Sequence, residues 1–176
     1  MKKVKNDVTL ELVQGDIANQ PGMDAIVNAA NAQLRPGGGV AGAIHRAAGP
    51  GLAEECRPMA RIKPGEAVIS GGHDLPNEHV IHCLGPVYGS DKPEDELLAN
   101  CYENALDLAE KNDLRSIAFP AISTGVFGYP LKEAARVALK TVLTKISDLK
   151  SVKIIRFVLY GDNDLKVHEE VLSKME

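Results

Sequence analysis

The 176-residue chain is short of cysteine, of basic excess and of long apolar runs, and each shortage excludes something. Its three cysteines, Cys56, Cys83 and Cys101, are odd in number, widely spaced and form no CxxC pair. That pattern excludes a disulfide framework and leads us to expect a reducing compartment, the cytoplasm. No apolar run approaches the length of a membrane span, and the first residues lack the apolar stretch of a secretory signal, so no membrane role is expected. The formal charge of −4 argues against general nucleic-acid binding. The only basic cluster, Lys2, Lys3 and Lys5, lies at an end expected to be frayed and solvated. Internal repeats, low-complexity segments and linkers are also missing. What remains, 44% hydrophobic and 25% charged residues, suits a globular chain in which residues 1–176 form a single domain.

Hydrophobic periodicity then places the elements. Residues 8–14 alternate and close with Gly15-Asp16, and residues 25–29 form a second strand. A helix is expected from Gly42 to Gly49-Pro50, with a second helical piece over 52–60 limited by Pro58. Short strands are expected at 66–70, 78–84 and 116–119. Pro93 starts an amphipathic helix burying Leu97, Leu98, Cys101, Ala105, Leu108 and Ala109. Another helix follows Pro130, burying Leu131, Ala134, Ala135, Ala138, Leu139, Val142 and Ile146. Residues 153–160 are nearly all apolar, which predicts an interior strand covered on both faces. The last helix starts near Asn163 and buries Leu165, His168, Val171, Leu172 and Met175. Strands and helices alternating in this way predict a three-layer α/β/α sandwich around a mixed, largely parallel sheet of about six strands.

In such sheets ligands bind beyond the carboxyl ends of strands. The stretch Asn28-Ala29-Ala30-Asn31, followed by Gly37-Gly38-Gly39 and a helix, supplies bare backbone N–H groups for a phosphate and two amides suited to a sugar. A second glycine-bearing loop, residues 121–130, also follows a strand and opens onto a helix. Facing each other, the two would offer enough donors for a diphosphate. Gly37, Gly39 and Gly42 match the letters of the dinucleotide fingerprint, but they lie about seven residues past the strand end and no acid follows at the expected distance. No Gly-Lys-Ser/Thr completes a P-loop either. His79 and His82, with Cys83, fall on a strand where residues three apart point to opposite faces, so no metal site is expected. His73 and His168 are read as structural or surface residues.

Taken together, Gln14-Gly15-Asp16-Ile17, Asn28 to Asn31, Gly37 to Gly42, Ile44 to Gly49 and Pro120 to Gly128 resemble, in order and over most of the chain, the macrodomain family of ADP-ribose-binding proteins. The resemblance implies ADP-ribose or its derivatives as ligand, mono-ADP-ribosylated proteins as partners, action as a monomer and no cofactor. It implies that Asp16 accepts from the adenine amino group, with the Ile17 N–H on a ring nitrogen and Tyr160 flanking the base. It gives the diphosphate to the backbones of Gly38, Gly39 and Val40 and of Ser123, Thr124, Gly125, Val126 and Phe127. Asn31 would bond the distal ribose, Phe127 would pack against it, and Asn28 is read as structural.

The resemblance extends to hydrolysis of ADP-ribosyl esters, on mono-ADP-ribosylated Asp or Glu or on O-acetyl-ADP-ribose, with Asn31 and His45 as candidate catalytic residues. The MacroD-type branch carries an aspartate where this chain has Ala41, one helical turn before His45. Alanine cannot activate water, so His45 stands either as a base or as a packed helix residue. A non-catalytic ADP-ribose-binding module is the alternative. Processing of ADP-ribose phosphate esters would use the same pocket.

Overall fold

The computed structural model describes residues 1–175. Seven strands form one sheet: β1 (Lys2–Lys5), β2 (Val8–Gln14), β3 (Ala25–Ala29), β4 (Ala67–Gly71), β5 (His79–Cys83), β6 (Ser116–Phe119) and β7 (Ile154–Leu159). Their order is β1-β2-β7-β6-β3-β5-β4. The five inner strands run parallel and the two outer ones antiparallel, which is the mixed sheet expected with an added edge. The helices are α1 (Gly39–Ala48), α2 (Gly51–Cys56), α3 (Glu94–Lys111), α4 (Leu131–Lys145) and α5 (Asp162–Ser173).

Side-chain alternation along the strands divides the core in two. Val27, Ile81, Phe119 and Phe157 point into a cluster under α3, α4 and α5. Their neighbours Ile26, Val80, Ala118 and Val158 point into a cluster with Ile44, Ala48 and Leu52 of α1 and α2. Phe119 and Phe157 stack at 5.5 Å, and Tyr102 closes on Phe119 at 5.1 Å.

Four expectations are corrected. The basic amino end is an ordered edge strand, the seventh, paired with β2. Lys3 Nζ donates to the Met175 carbonyl at 2.7 Å and Lys5 Nζ to that of Leu143 at 3.2 Å. A lysine-rich edge carries almost no apolar pattern, which is why its composition resembles a tail. Second, β7 is interior but covered on both faces only towards its carboxyl end: Ile155, Phe157 and Leu159 enter one cluster and Val158 the other, while Ile154 is exposed and half-buried Arg156 donates to Glu11 at 2.8 Å and to Gln20 at 3.1 Å. Third, α1 begins at Gly39 rather than Gly42, because glycine's poor helix propensity hides a start made of glycines. Fourth, the buried face of α3 uses Tyr102 and Leu106, while Leu97 and Leu108 are half-buried.

Candidate functional site

Residues just past the carboxyl ends of all five parallel strands line one cleft with two joined lobes. The first, ≈ 540 Å³, is walled by Gly15, Asp16 and Ile17 after β2, by Val158 of β7 and Tyr160 just past it, and by Pro120, Ala121, Thr124 and Gly125 after β6. Gly39, Val40, Ala43 and Arg46 of α1 and Asp164 of α5 complete it. The second, ≈ 360 Å³, is lined by Ala29, Ala30, Gly38, Gly39, Val40, Gly85 and residues Ala121, Ile122, Ser123, Gly125, Val126 and Phe127. Gly39, Val40, Ala121 and Gly125 belong to both lobes and mark the waist between them. Another groove of ≈ 510 Å³ between β4 and α3 is bordered by no strand-end glycine loop.

The waist is built to hold negative charge. Gly38 caps α1 with no side-chain hydrogen bond, and the first turn contains no acidic residue, so the amide end of a ten-residue helix is left to a ligand. Gly39 has φ +55, a conformation an L side chain adopts only with strain. Across the waist, the second loop is pinned by Gly128 N–H to the Gly125 carbonyl (3.0 Å), Tyr129 N–H to that of Ser123 (2.9 Å) and Tyr88 N–H to that of Phe127 (2.8 Å). Ser123 has φ +68 and a buried hydroxyl without a partner among the described residues.

At the outer end of the first lobe, Asp16 is exposed and its Oδ1 accepts from the Ala18 N–H at 2.9 Å, leaving the other carboxylate oxygen to the cleft. Tyr160 is 85% exposed, an aromatic ring with almost no protein contact. Eleven of the thirteen candidate residues therefore line the cleft; Asn31 and His45 line neither lobe. Asn31 lies half-buried beside the second lobe. Its Nδ2 donates to the Arg35 carbonyl (2.8 Å) and its Oδ1 accepts from the Arg35 N–H (3.0 Å), closing the loop that leads to the glycines.

His45 faces the other way. Helical spacing turns Gly39, Val40, Ala43 and Arg46 to the cleft, and Ala41, Ile44, His45 and Ala48 inward. His45 is 5% exposed, neither ring nitrogen has a partner among the described residues, and burial pushes its pKa down. Asn28 is buried too, and in its structural role it binds a histidine: its Nδ2 lies 3.1 Å from His82 Nδ1. That amide donor places the His82 proton on Nε2, facing Ser70 Oγ at 2.9 Å and Cys56 Sγ at 3.5 Å. Cys56, His82 and Asn28 thus have the relative arrangement of a nucleophile triad, but all are buried, and burial raises the Cys56 pKa and lowers that of His82 to about 4. The cluster is a polar brace between β3, β5 and α2. His73 is exposed and meets Glu55 at 2.7 Å, and His168 is buried with Nδ1 on the Asp164 carbonyl at 2.8 Å.

Sequence reasoning missed Gly85, Ala43, Arg46, Val158 and Asp164 on the cleft wall. The strand-end rule would have found Gly85 after β5. The three-and-four spacing from Gly39 would have found Ala43 and Arg46.

The Macro domain family profile matches residues 27–138. A Salmonella typhimurium protein named O-acetyl-ADP-ribose deacetylase is 47% identical over 170 residues, covering 94% of each chain. The Oceanobacillus iheyensis macrodomain solved with ADP superposes with a TM-score of 0.94 at 44% identity, covering 98% of this chain and 94% of that one. The Trypanosoma brucei macrodomain solved in complex with ADP-ribose gives 0.86 at 39% identity, covering 93% of this chain and 68% of that one.

Proposed function

The chain belongs to the Macro domain family, and we propose that it binds ADP-ribose and hydrolyses ADP-ribosyl esters, those of mono-ADP-ribosylated Asp or Glu and O-acetyl-ADP-ribose. One observation carries the reading: two glycine-bearing loops, meeting at Gly39 and Gly125, form a waist of backbone donors between two lobes. A diphosphate fits the waist, and its attraction comes from local dipoles, so an acidic protein can hold an anion. Adenine goes to the first lobe, with Asp16 accepting from its amino group, Ile17 N–H on a ring nitrogen and Tyr160 against its face. The distal ribose goes to the second lobe, against Phe127.

In this reading a water adds to the ester carbonyl, the C–O bond to the ribose breaks, and the ribose oxygen leaves with a proton. No residue lining the second lobe has an ionisable side chain. The water's proton therefore passes to the substrate itself, a diphosphate oxygen being the available base, and from there to the departing ribose oxygen, while Asn31 orients the water through its amide. We assign no step to His45. The reading is completed by action as a monomer and by a reducing cytoplasm, which three buried free cysteines fit.

The uncharged second lobe also favours a second reading, a non-catalytic ADP-ribose-binding module. Titration calorimetry with ADP-ribose, followed by incubation with glutamate-linked mono-ADP-ribosylated protein and with O-acetyl-ADP-ribose, separates the two. Micromolar or tighter binding with release of ADP-ribose supports the hydrolase; binding without product leaves the module; absence of binding overturns both.

A further inference from the structure

Arg46 is exposed on the wall of the first lobe, and among the described residues its guanidinium makes no ion pair and donates no side-chain hydrogen bond. No carboxylate stands three or four positions away on its own helix, where the neighbours are Gly42, Ala43, Gly49 and Pro50. The cation also complements the carboxyl end of α1, but that role does not require it to face the cleft. We propose that the cleft accepts ADP-ribose bearing a phosphate monoester on its adenosine-side ribose, with Arg46 as the partner of that phosphate.

The inference rests on the ADP-ribose reading and follows from the layout of α1. Gly39, Val40, Ala43 and Arg46 face the cleft in succession; the Arg46 backbone lies two helical turns, about 10 Å, from Gly39, and its side chain folds back along α1 so that Nη1 is 3.0 Å from the Cβ position at Gly42, between the two. With the diphosphate at Gly39 and the base between Asp16 and Tyr160, the ribose joining them lies beside the stretch that Arg46 overlooks. Plain ADP-ribose offers hydroxyls there, which leave a guanidinium fork unmatched. A phosphate monoester matches it with two parallel charge-assisted bonds. Two carboxylates share the lobe. Asp16 is partly occupied by the Ala18 N–H, and Asp164 projects from α5. Neither forms an ion pair with Arg46, so the cation is not neutralised in the resting cleft.

The test compares ADP-ribose with its 2′-phosphate and 3′-phosphate by calorimetry, on the whole chain and on Arg46→Gln and Arg46→Lys. The expected result is about three- to tenfold tighter binding of one phosphorylated isomer by the natural chain at low salt. In Arg46→Gln the ratio of the two affinities falls to one or below, and in Arg46→Lys it is intermediate, since a lysine offers charge without the fork. If ADP-ribose binds and neither phosphorylated isomer binds better, or if Arg46→Gln keeps the preference, the inference fails and the ADP-ribose reading stands. If neither form binds, both fail.

Discussion

Gly85 and Ser123 touch so closely that a Cβ on the glycine would collide with the serine hydroxyl and come within 2.6 Å of Ile122 Cγ2. The contact joins the end of β5 to the second loop at the point where Ser123 holds its left-handed φ of +68. Such a conformation costs a non-glycine residue about 1–2 kcal/mol and persists because its surroundings enforce it. Gly85→Ala should therefore displace the loop and weaken ADP-ribose binding about tenfold, with a stability loss of about 1–3 kcal/mol from overpacking. Adding Ser123→Gly removes the struck hydroxyl and suits the backbone but leaves the Ile122 methyl in the way, so it should recover part of the affinity. Calorimetry and urea unfolding on the single and double variants check this; unchanged binding in Gly85→Ala would show that the contact does not set the loop.

Asp16 divides its carboxylate between the Ala18 N–H and the cleft. Asp16→Ala should cut ADP-ribose affinity about tenfold and flatten the preference for adenine over hypoxanthine in the same ligand. Hypoxanthine lacks the amino donor, so its diphosphate-ribose conjugate should lose little between the two proteins. Titrating both conjugates into both proteins decides it, and an Asp16→Ala protein that still prefers adenine would remove Asp16 from base recognition.

The buried brace makes stability depend on acidity. Burial lowers the His82 pKa from the usual 6.5 to about 4, aided by the nearby His45 and opposed by Glu55. Burial also lowers His45 and His168. A depressed histidine takes up its proton more readily unfolded than folded, so stability is complete above pH 6.5 and falls as pH drops towards 4. His82 alone accounts for about 3 kcal/mol over that span. For Glu55 burial acts upward but is outweighed by the His73 and Gly71 hydrogen bonds, and for Glu110 it is outweighed by the N–H groups of Val152, Lys150 and Ser151. Both carboxylates thus end below 4.5 and add their loss only in stronger acid. Urea unfolding between pH 4.5 and 6.5 should show a slope that His82→Gln reduces; an equal slope in the variant would place the dependence elsewhere.

Much of the fold was legible because strand and helix periods are printed in apolar spacing. The strand at 116–119 has the expected limits and the helix after Pro130 the expected start. The cleft was legible where bare backbone matters, since glycine is the only residue that announces exposed amides by its own identity. It was illegible where direction matters. His45 and Arg46 are adjacent in sequence, yet one faces the interior and the other the ligand, a choice set by the sheet under α1. The brace was hidden for the same reason: Asn28, Cys56, Ser70 and His82 come from four separate segments, and the sequence holds no trace of their meeting.

Ala41 offers the most direct test of how the ester is cleaved. It lies on the inward face of α1, but its Cβ is 4.0 Å from the Cβ position at Gly37, which in turn is 3.4 Å from Asn31 Nδ2. A carboxylate grown from position 41 therefore reaches the neighbourhood of the amide that orients the water. It would give the second lobe the base that its lining lacks. General-base assistance is typically worth about 10²–10⁴-fold. The aspartate would be partly buried beside an uncharged lobe, so the lower end applies. Ala41→Asp should raise kcat on O-acetyl-ADP-ribose by about tenfold or more, leave KM within about threefold, and add an acid limb to the rate profile where the new carboxylate titrates. Asn31→Ala in the same background should abolish the gain, because an activated water that is not aimed reacts no faster. A kcat unchanged by Ala41→Asp, with the fold intact by circular dichroism, would show that the proton does not leave through this side of the lobe.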